Sequence, residues 1–427
     1  MRGYGVLLGM VLVWTTTIIP RSINESMAMA LAHSPKIELA KARLAIAKSR
    51  QTEAYGQFLP SIHGAWQVGK EKSHVVGFPD RPATNQNTTQ ITIEQRLFQG
   101  FQSAHRVISE GHMVSAAQAE LQQTVADVAF AAAEAHINVV TARHYEAHFK
   151  QSIAIADAMV KKGRQQLKLQ AISMNQMSDY DADALRAYSD GLDAKKDRVS
   201  SEQSYTALTG DAPIGLLDPP WPSEPLSISE LQAHAKEHHG GLLQMMHAQK
   251  SARAKLATAK GAFLPTAKLM GSIKKQDAVL YMNDQNIDTK QVVLDVSVPL
   301  FHHGQRVTAL QQAYHMHQLK QKEFEVKDDE VMMALAMAVE RYNLGHELVS
   351  AYWELQKMGR GKIRRLKEQL RLGAVSKLTV LTQQKELSHL SQRVVGLRKD
   401  VIMNYYKALY LSGRKDWYAI DREKATR

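Results

Sequence analysis

Apolar positions along this 427-residue chain follow two different periods, and the two patterns alternate in the same order twice. Apolar residues at every second position predict strands with one apolar and one polar face. This pattern occurs four times, in segments of about ten residues each. Its positions are Ile62, Gly64, Trp66 and Val68; Ile91, Ile93 and Leu97; Ala267, Leu269, Gly271 and Ile273; and Val292, Leu294, Val296 and Val298. Such strands are typical both of a soluble four-stranded sheet and of part of a transmembrane barrel.

Helical segments surround these strands, and the longest exceed what a globular domain needs. No proline occurs from Phe101 to Met159, and apolar or small residues recur there every seven positions, from Val107 to Phe149. Sustained heptads predict coiled-coil packing. A helix of about 60 residues would be about 90 Å long. The same spacing returns in the second half of the chain at Met332, Leu335, Val339, Tyr342, Val349 and Trp353, and again at Leu387, Leu390, Val394, Leu397, Val401, Ala408 and Leu411.

A shorter helical stretch precedes each strand pair. The first is predicted to begin after Ser22, whose spacing from Glu25 matches a capping box, and to continue to Gln57 as one stretch of about 35 residues. The sequence Phe58-Leu59-Pro60 ends it. A polar loop that includes Gly77, Pro79, Pro82 and Asn85 is predicted to separate the first two strands.

The chain is an internal duplication. The sequence Phe58-Leu59-Pro60 recurs as Phe263-Leu264-Pro265, and further short matches keep their order at nearly the same offset. Any one pair is weak evidence, but the ordered set is strong. The additional matches are Ile23-Asn24-Glu25 with Ile228-Ser229-Glu230, Leu97-Phe98 with Leu300-Phe301, Ala171-Ile172-Ser173 with Ala374-Val375-Ser376, and Leu208-Thr209-Gly210 with Leu411-Ser412-Gly413.

We divide the chain into five segments on this basis. Residues 22–210 and 227–413 are the two repeats, and residues 211–226 form a linker too rich in proline to be helical. Residues 1–21 combine an early Arg with an uncharged hydrophobic run, which predicts a signal peptide with no clear cleavage site; a buried N-terminal helix is the alternative. The tail, 414–427, has no counterpart in the first repeat.

Composition excludes several classes of protein. Hydrophobic residues make up 44% and charged residues 22%, which excludes wholesale disorder. The chain has no Cys, so it has no disulfide, thiolate metal ligand, cysteine nucleophile or cysteine-linked lipid anchor. No phosphate-binding loop, nucleophile elbow or dinucleotide fingerprint occurs. We therefore predict that the protein is not an enzyme and needs no cofactor.

In their order, these features resemble the TolC-like outer-membrane efflux channels. The resemblance covers residues 22–413 and includes Leu97-Phe98-Gln99-Gly100 after the strand pair and Gly373-Ala374-Val375-Ser376 between long helices. It implies a mainly α fold with β strands: a homotrimer in which each chain gives four strands to one shared twelve-stranded membrane barrel. The long coiled-coil helices would form a tunnel through the periplasm. Open sheet edges are not tolerated in lipid, so neighbouring chains would have to close the sheet.

The resemblance also implies a location and partners. The protein would lie in outer-membrane lipid and act as the passive exit duct of a tripartite efflux or type I secretion system. An inner-membrane pump and a periplasmic adaptor protein would deliver substrates of one of several classes: drugs, metals, metabolites or proteins. No nucleic-acid partner is implied.

The resemblance places a pore constriction just after the turns between long helices. Close relatives carry aspartates there, but this chain has Thr379 and Thr382, and Gln176 at the equivalent place in the first repeat. We therefore expect a polar, uncharged constriction with weak cation preference; ordinary helix-surface threonines are the alternative. The nearby Asp179, Asp181 and Asp183 would supply acidity if they faced the lumen, although their spacing favours a solvated helix.

The adaptor is expected to contact the two turns, because turns at the ends of long helices are exposed. The residues are Ala171, Ile172 and Ser173 in the first repeat and Gly373, Ala374, Val375 and Ser376 in the second. Gly373 stands where the first repeat has Gln170, which predicts that the two turns are not identical.

Three other hypotheses are weaker. A metal site is suggested by 18 histidines, including His144 and His148 four residues apart, but none lies in a ligand set with recognisable spacing, so we predict none. A cytoplasmic coiled-coil scaffold would leave the alternating strand pairs unexplained. A nucleic-acid binder is suggested by the net charge of +12, but the densest basic cluster lies inside a helix and lacks interleaved aromatics. That cluster is Arg360, Lys362, Arg364, Arg365 and Lys367.

Overall fold

The computed structural model describes residues 20–72, 74, 76–77, 84–277, 287–301 and 303–418. Its element order repeats once: two short helices, two strands and two long helices, then the same six elements again. The elements are α1 Ile23–His33, α2 Pro35–Gly56, β1 Ser61–Glu71, β2 Thr84–Gln99, α3 Gln102–Lys168, α4 Met174–Thr209, α5 Ile228–His238, α6 Gly240–Gly261, β3 Thr266–Asp277, β4 Ile287–Ser297, α7 Gln305–Arg371 and α8 Lys377–Leu411. The predicted signal peptide lies almost entirely outside the described residues.

The first helical stretch differs from its prediction. It is two helices, because α1 ends at His33 and Pro35 begins α2, and proline is favoured at the first position of a helix. The predicted capping box is confirmed: the Ser22 hydroxyl accepts the N–H of Glu25 at 3.3 Å, and the Ser22 N–H donates to the Glu25 carboxylate at 2.6 Å.

The four strands form one antiparallel sheet in the order β1-β2-β3-β4. Strand β2 begins at Thr84, so Asn85 belongs to a strand and not to the predicted loop. Its N-terminal half, Thr84–Gln90, is polar and has no alternation to mark it, but it pairs with β1 from Thr84 opposite Glu71 onward. Pro79 and Pro82 lie outside the described residues.

The cross-strand register places most of the predicted apolar positions of the four strands on one face. Ile62 pairs with Ile93, which pairs with Gly271, which pairs with Val292. Because side chains alternate between the faces, the other predicted positions within the regular pairing lie on the same face. Leu97 is an exception, since the register shifts there and Phe98 pairs with Ala267, and Val298 lies beyond the end of β4. The large side chains of this face are exposed at Trp66, Val68, Ile91, Leu269, Ile273, Leu294 and Val296.

Two compact units divide the chain differently from the two repeats, since each unit takes segments from both repeats. One unit combines residues up to Pro35 with Val125–Ala235 and the chain from Met333 onward; the other combines Lys36–Thr124 with Lys236–Met332. The second unit holds the whole sheet.

The first unit has a buried polar anchor for the irregular segment 211–226. His136 on α3 contacts the carbonyl oxygen of Leu217 through Nε2 at 2.8 Å and the hydroxyl of Ser26 through Nδ1 at 2.8 Å. Ser26 also lies 2.9 Å from the hydroxyl of Tyr205 on α4. All three side chains are buried, and burial lowers the pKa of His136. The network fixes the linker and the three helices α1, α3 and α4 to one another.

Helix α3 contains an 18-residue window of mean hydropathy 1.2, which by length and composition would suffice to cross a membrane. Of this window, 61% is buried within the protein, as in a core helix. Its small residues explain the close packing, since Ala129, Ala132 and Ala133 are fully buried.

The start of the tail packs on the first unit as far as it is described. Trp417 is buried with its ring 6.1 Å from that of Tyr406, and its Nε1 donates to the carbonyl of Arg414 at 2.9 Å. The tail is thus part of the fold up to Tyr418.

Candidate functional site

The turn between α3 and α4, residues 169–173, ends α3 with a left-handed residue. Gln170 has a φ of 55°, unusual for a residue other than glycine. Its N–H donates to the carbonyl of Leu167 at 2.9 Å, and the N–H of Ala171 donates to that of Gln166 at 2.9 Å. This pair of bonds satisfies helix-terminal carbonyls as in a Schellman motif.

The turn between α7 and α8, residues 372–376, has the same backbone. Gly373 has a φ of 74° and donates its N–H to the carbonyl of Leu370 at 3.1 Å. The N–H of Ala374 donates to the carbonyl of Gln369 at 2.9 Å. The two turns therefore share one backbone conformation and differ in the side chain that the left-handed residue carries.

Serine caps the helix that follows each turn, and two of the three predicted constriction residues, Gln176 and Thr379, take part in the caps. Ser173 accepts the N–H of Gln176 at 3.2 Å, and the Gln176 side chain accepts the N–H of Ser173 at 3.1 Å. Ser376 accepts the N–H of Thr379 at 3.1 Å, and the two hydroxyls lie 3.0 Å apart. Gln176 and Thr379 thus stabilise helix starts while their side chains remain exposed.

Thr379 and Thr382 lie on the exposed side of the first turn of α8. The opposite side of this turn is apolar: Leu378 and Leu381 are buried against Met159 of α3. This packing fixes which way α8 faces, so the two threonines share one accessible surface.

The predicted adaptor contacts are accessible on the isolated chain. Ile172 and Val375 are half-buried, and Ala171, Ser173, Gly373, Ala374 and Ser376 are exposed. The sequence reading missed a leucine that begins each turn: Leu169 is 78% exposed and Leu372 is 84% exposed. The repeat offset that aligned the two turns also aligns these leucines, so the signal was present.

Two of the three aspartates behind the first turn have cationic partners. Asp181 lies 3.5 Å from Arg164, and Asp183 forms ion pairs with Lys385 and Arg186. Asp179 is exposed. Local pairing therefore offsets most of the acidity expected here.

Histidines do not converge on a metal site in the part of the chain that the structure describes. No group of three or more His, Asp or Glu side chains there is arranged to hold an ion. His144 instead donates through Nε2 to the Asp218 carboxylate at 2.9 Å. His239 caps α6 by accepting the N–H of Leu242.

The polar face of the sheet carries a charged row opposite the apolar face. The ammonium of Lys268 on β3 lies 3.6 Å from Glu94 on β2 and 3.7 Å from Asp295 on β4. One sheet thus has an exposed apolar face and an ion-paired polar face, as in the wall of a transmembrane barrel.

Helix α4 has an exposed apolar stripe. Leu185, Tyr188, Leu192 and Val199 are all exposed, and Leu185 is 72% exposed. At 3.6 residues per turn these four residues lie on one side of the helix. We call them the α4 stripe.

Helix α7 has a second such stripe. Its residues also fall on one side of the helix by their spacing. We call this set the α7 stripe: Met333, Met337, Leu344, Leu348, Leu355 and Met358, all exposed. Exposed apolar surfaces on this scale mark interaction sites.

Comparison with known proteins assigns a family to this architecture. The model of the outer membrane efflux protein family matches residues 27–211 and again 231–419. The chain belongs to the outer membrane efflux protein family. A curated relative, the outer membrane efflux protein BepC of Brucella suis, is 22% identical over 96% of this chain and 89% of its own length.

Solved structures share the fold at low sequence identity. The outer membrane channel CmeC of Campylobacter jejuni superposes with a TM-score of 0.79 at 12% identity, over 94% of this chain and 88% of its own. The outer membrane protein VceC of Vibrio cholerae gives a TM-score of 0.78 at 15% identity, over 92% of this chain and 96% of its own. The mainly helical fold with four strands, expected from the sequence, is confirmed.

The family assignment settles the broad function. The protein is an outer-membrane channel protein of an efflux system, as the resemblance predicted, and outer-membrane localisation is confirmed. The alternative of a cytoplasmic scaffold is not supported. Members of this family and fold are channel proteins rather than enzymes.

Proposed function

We propose that three copies of this chain form one passive export duct, whose wall in the outer membrane is a closed twelve-stranded barrel. The observation that carries the proposal is the exposed apolar face of a sheet whose outer strands, β1 and β4, pair with no further strand among the described residues. In lipid, such edges must find partners. Copies of the same chain supply them when β4 of one chain pairs with β1 of the next.

The two apolar stripes support the same assembly. They lie on different helices, so joining the α4 stripe of one chain to the α7 stripe of its neighbour makes a head-to-tail interface. Head-to-tail interfaces generate closed rings when the rotation between copies closes. A ring of three chains contains six repeats around one axis, and its long helices would line a tunnel in the periplasm.

We propose that Thr379, Thr382 and Gln176 line the periplasmic constriction of this duct. Their side chains are exposed and uncharged, and two of the three nearby aspartates, Asp181 and Asp183, already have cationic partners. The constriction would therefore be polar with weak preference for cations.

Planar-bilayer recordings test the duct and its constriction together. We expect the natural protein to conduct, with a reversal potential in a salt gradient that shows weak cation preference. The T379D/T382D double variant should raise the cation-over-anion permeability ratio about fivefold, since a unit charge about 4 Å from an ion in water is worth about 1 kcal/mol. Aspartate at these positions also suits a helix start, so folding should be preserved.

Ser200→Asp is the matched control, because it adds an acid at an exposed position of α4 about 40 Å along the helix from the turn. It should leave selectivity unchanged. Strong cation selectivity in the natural protein that is lost on changing Thr379 to Ala would contradict an uncharged constriction. A protein that inserts but never conducts would contradict the duct.

We further propose that the two turns, 169–173 and 372–376, contact a periplasmic adaptor that joins the duct to an inner-membrane pump. Exposed Leu169 and Leu372 give each turn an apolar contact point, and the shared backbone presents them alike. Tripartite efflux and type I secretion both use such an assembly, and the turns serve either.

Exchanging the left-handed residues tests the adaptor contact. Gly373→Gln copies the side chain that the first turn carries in the same conformation, and no atom lies within 4 Å of the added Cβ. The left-handed strain is about 1–2 kcal/mol, which a long helix pair tolerates. We expect adaptor crosslinking and efflux to fall severalfold while the trimer persists. Gln170→Gly is the matched control and should retain both; unchanged crosslinking in Gly373→Gln would refute the assignment.

A further inference from the structure

A cavity of about 520 Å³ lies beside the linker, between helices α3, α7 and α8. We call it the linker cavity. Its walls combine apolar side chains, among them Val140, Leu387 and Val394, with the ring of Trp353. Cavities of this size are typical of small-molecule sites. All of its lining residues belong to the same compact unit.

Three basic side chains line this cavity without an acidic partner among the described residues. Arg360 hydrogen-bonds only the amide oxygen of Gln356, at 2.9 Å. The Arg398 guanidinium lies 5.8 Å from the centre of the Trp221 ring, and its Nε is buried without an acceptor. Lys399 also lines the cavity and has no ion pair with another described residue. A buried donor on a charged group is costly when it has no hydrogen-bond acceptor. A ligand that brings an acceptor into the cavity would therefore be bound by the hydrogen bond that the protein itself does not make.

Few acids offset this charge. Asp218 is the only acidic residue of the lining, and it already accepts a hydrogen bond from His144 at 2.9 Å. Burial, with a smaller effect of His144, lowers the pKa of His148, which is therefore neutral at neutral pH. On the side of α4, Lys399 also borders a separate groove that contains Asp193 and Asp197, but Asp193 pairs with Lys196 at 2.8 Å rather than with Lys399. The positive charge of the linker cavity rests on permanent cations.

The linker cavity lies away from the proposed subunit interface. Trp353 and Arg360 are displaced by about half a turn from the α7 stripe at 3.6 residues per turn. Joining the stripes of neighbouring chains would leave this side of α7 uncovered. A ligand would therefore reach the site in the assembled protein.

We propose that the linker cavity binds an amphiphilic organic anion: a sulfonate, sulfate ester or carboxylate carried on a flat apolar body. The guanidinium groups of Arg360 and Arg398 would bind the anionic oxygens, for which their planar donor sets are suited. Trp353 and the aliphatic wall would cover the apolar body. Inorganic sulfate would engage the cations but leave the apolar wall empty.

Naphthalene-2-sulfonate is a suitable probe, because Trp353 and Trp221 report on the site. The full-length protein in a non-ionic detergent is titrated by calorimetry and by tryptophan fluorescence. We expect saturable binding at one site per chain with a change in fluorescence. Uncharged naphthalene-2-sulfonamide and inorganic sulfate should each bind at least about tenfold more weakly, since each lacks one of the two recognised parts.

Variants locate the site. Arg398→Gln and Arg360→Gln should each weaken naphthalene-2-sulfonate about tenfold. Arg393→Gln, an exposed basic residue of α8 outside the cavity, is the matched control and should bind as the natural protein does. Because Arg398 contacts Trp221, binding by Arg398→Gln is interpreted only if its circular dichroism is unchanged. If that variant misfolds, Arg360→Gln decides the test, because Arg360 is exposed and its replacement should not affect folding. Equal binding by all variants, or by the sulfonamide, would overturn the proposal. The test needs neither trimer nor conductance, so its failure is distinct from failure of the export duct.

Discussion

The L185E/L192E double variant should leave the chain folded but monomeric. Both leucines belong to the α4 stripe and are largely exposed in the isolated chain, so their replacement removes little packing within the subunit. In the proposed trimer each is covered by the neighbour. Burying two leucines contributes about 3–6 kcal/mol per interface, and the glutamates would add the cost of burying unpaired charge.

Size-exclusion chromatography with light scattering in detergent measures the result. The natural protein should elute as a trimer and the variant as a monomer with unchanged helical circular dichroism. A head-to-tail interface leads to a second expectation. The M337E/L344E variant, which changes the α7 stripe, should also be monomeric. If each stripe instead packed against the same stripe of a neighbour, a change in one stripe would leave the contact made by the other stripe intact.

Ser200→Glu is the matched control for the stripe. It adds one glutamate at an exposed position of α4 about a quarter turn away from the stripe. It should remain trimeric. A trimer that survives in L185E/L192E would show that the stripe is not the subunit interface.

The sequence predicted the elements whose burial pattern is periodic. The strand positions around Ile93 and Val292 alternate cleanly, and the register places them on one face. The polar half of β2 was not predicted as a strand, because hydrogen bonding to β1, rather than any apolar pattern, holds Thr84 and Asn85 in a strand. The break between α1 and α2, just before Pro35, was not predicted because a heptad-like pattern continues across it, although the proline itself was a sufficient signal.

The surfaces were less predictable than the elements. The α4 stripe and the buried heptad positions have the same 3–4 spacing, so sequence alone does not distinguish packing within a chain from packing between chains. The roles of Gln176 and Thr379 in capping depend on the third position after a serine, a local rule that could have been applied. The linker cavity depends on contacts between distant segments and had no sequence signal.

The largest effect on a single chain is expected from adding one methyl group at Gly261. This residue ends α6, and its backbone lies directly against that of Gly100, the glycine of the Leu97-Phe98-Gln99-Gly100 motif. A Cβ at either position would overlap the carbonyl oxygen of the other. Neither oxygen can move without shifting the exit of β2 or the end of α6, so the motif glycine is required by close backbone approach.

Gly261→Ala should therefore destabilise the chain by about 3 kcal/mol or more, at the upper end of overpacking costs, because the obstructing atom is backbone. Thermal unfolding followed by circular dichroism measures this, together with the yield of folded protein. Gly56→Ala is the matched control from the first repeat: Gly56 ends α2 as Gly261 ends α6, yet nothing lies within 4 Å of its Cβ position. The control should unfold like the natural chain. Equal effects of the two alanine substitutions would contradict this prediction. They would show that the cost comes from replacing a glycine at a helix end, and not from the backbone contact between Gly100 and Gly261.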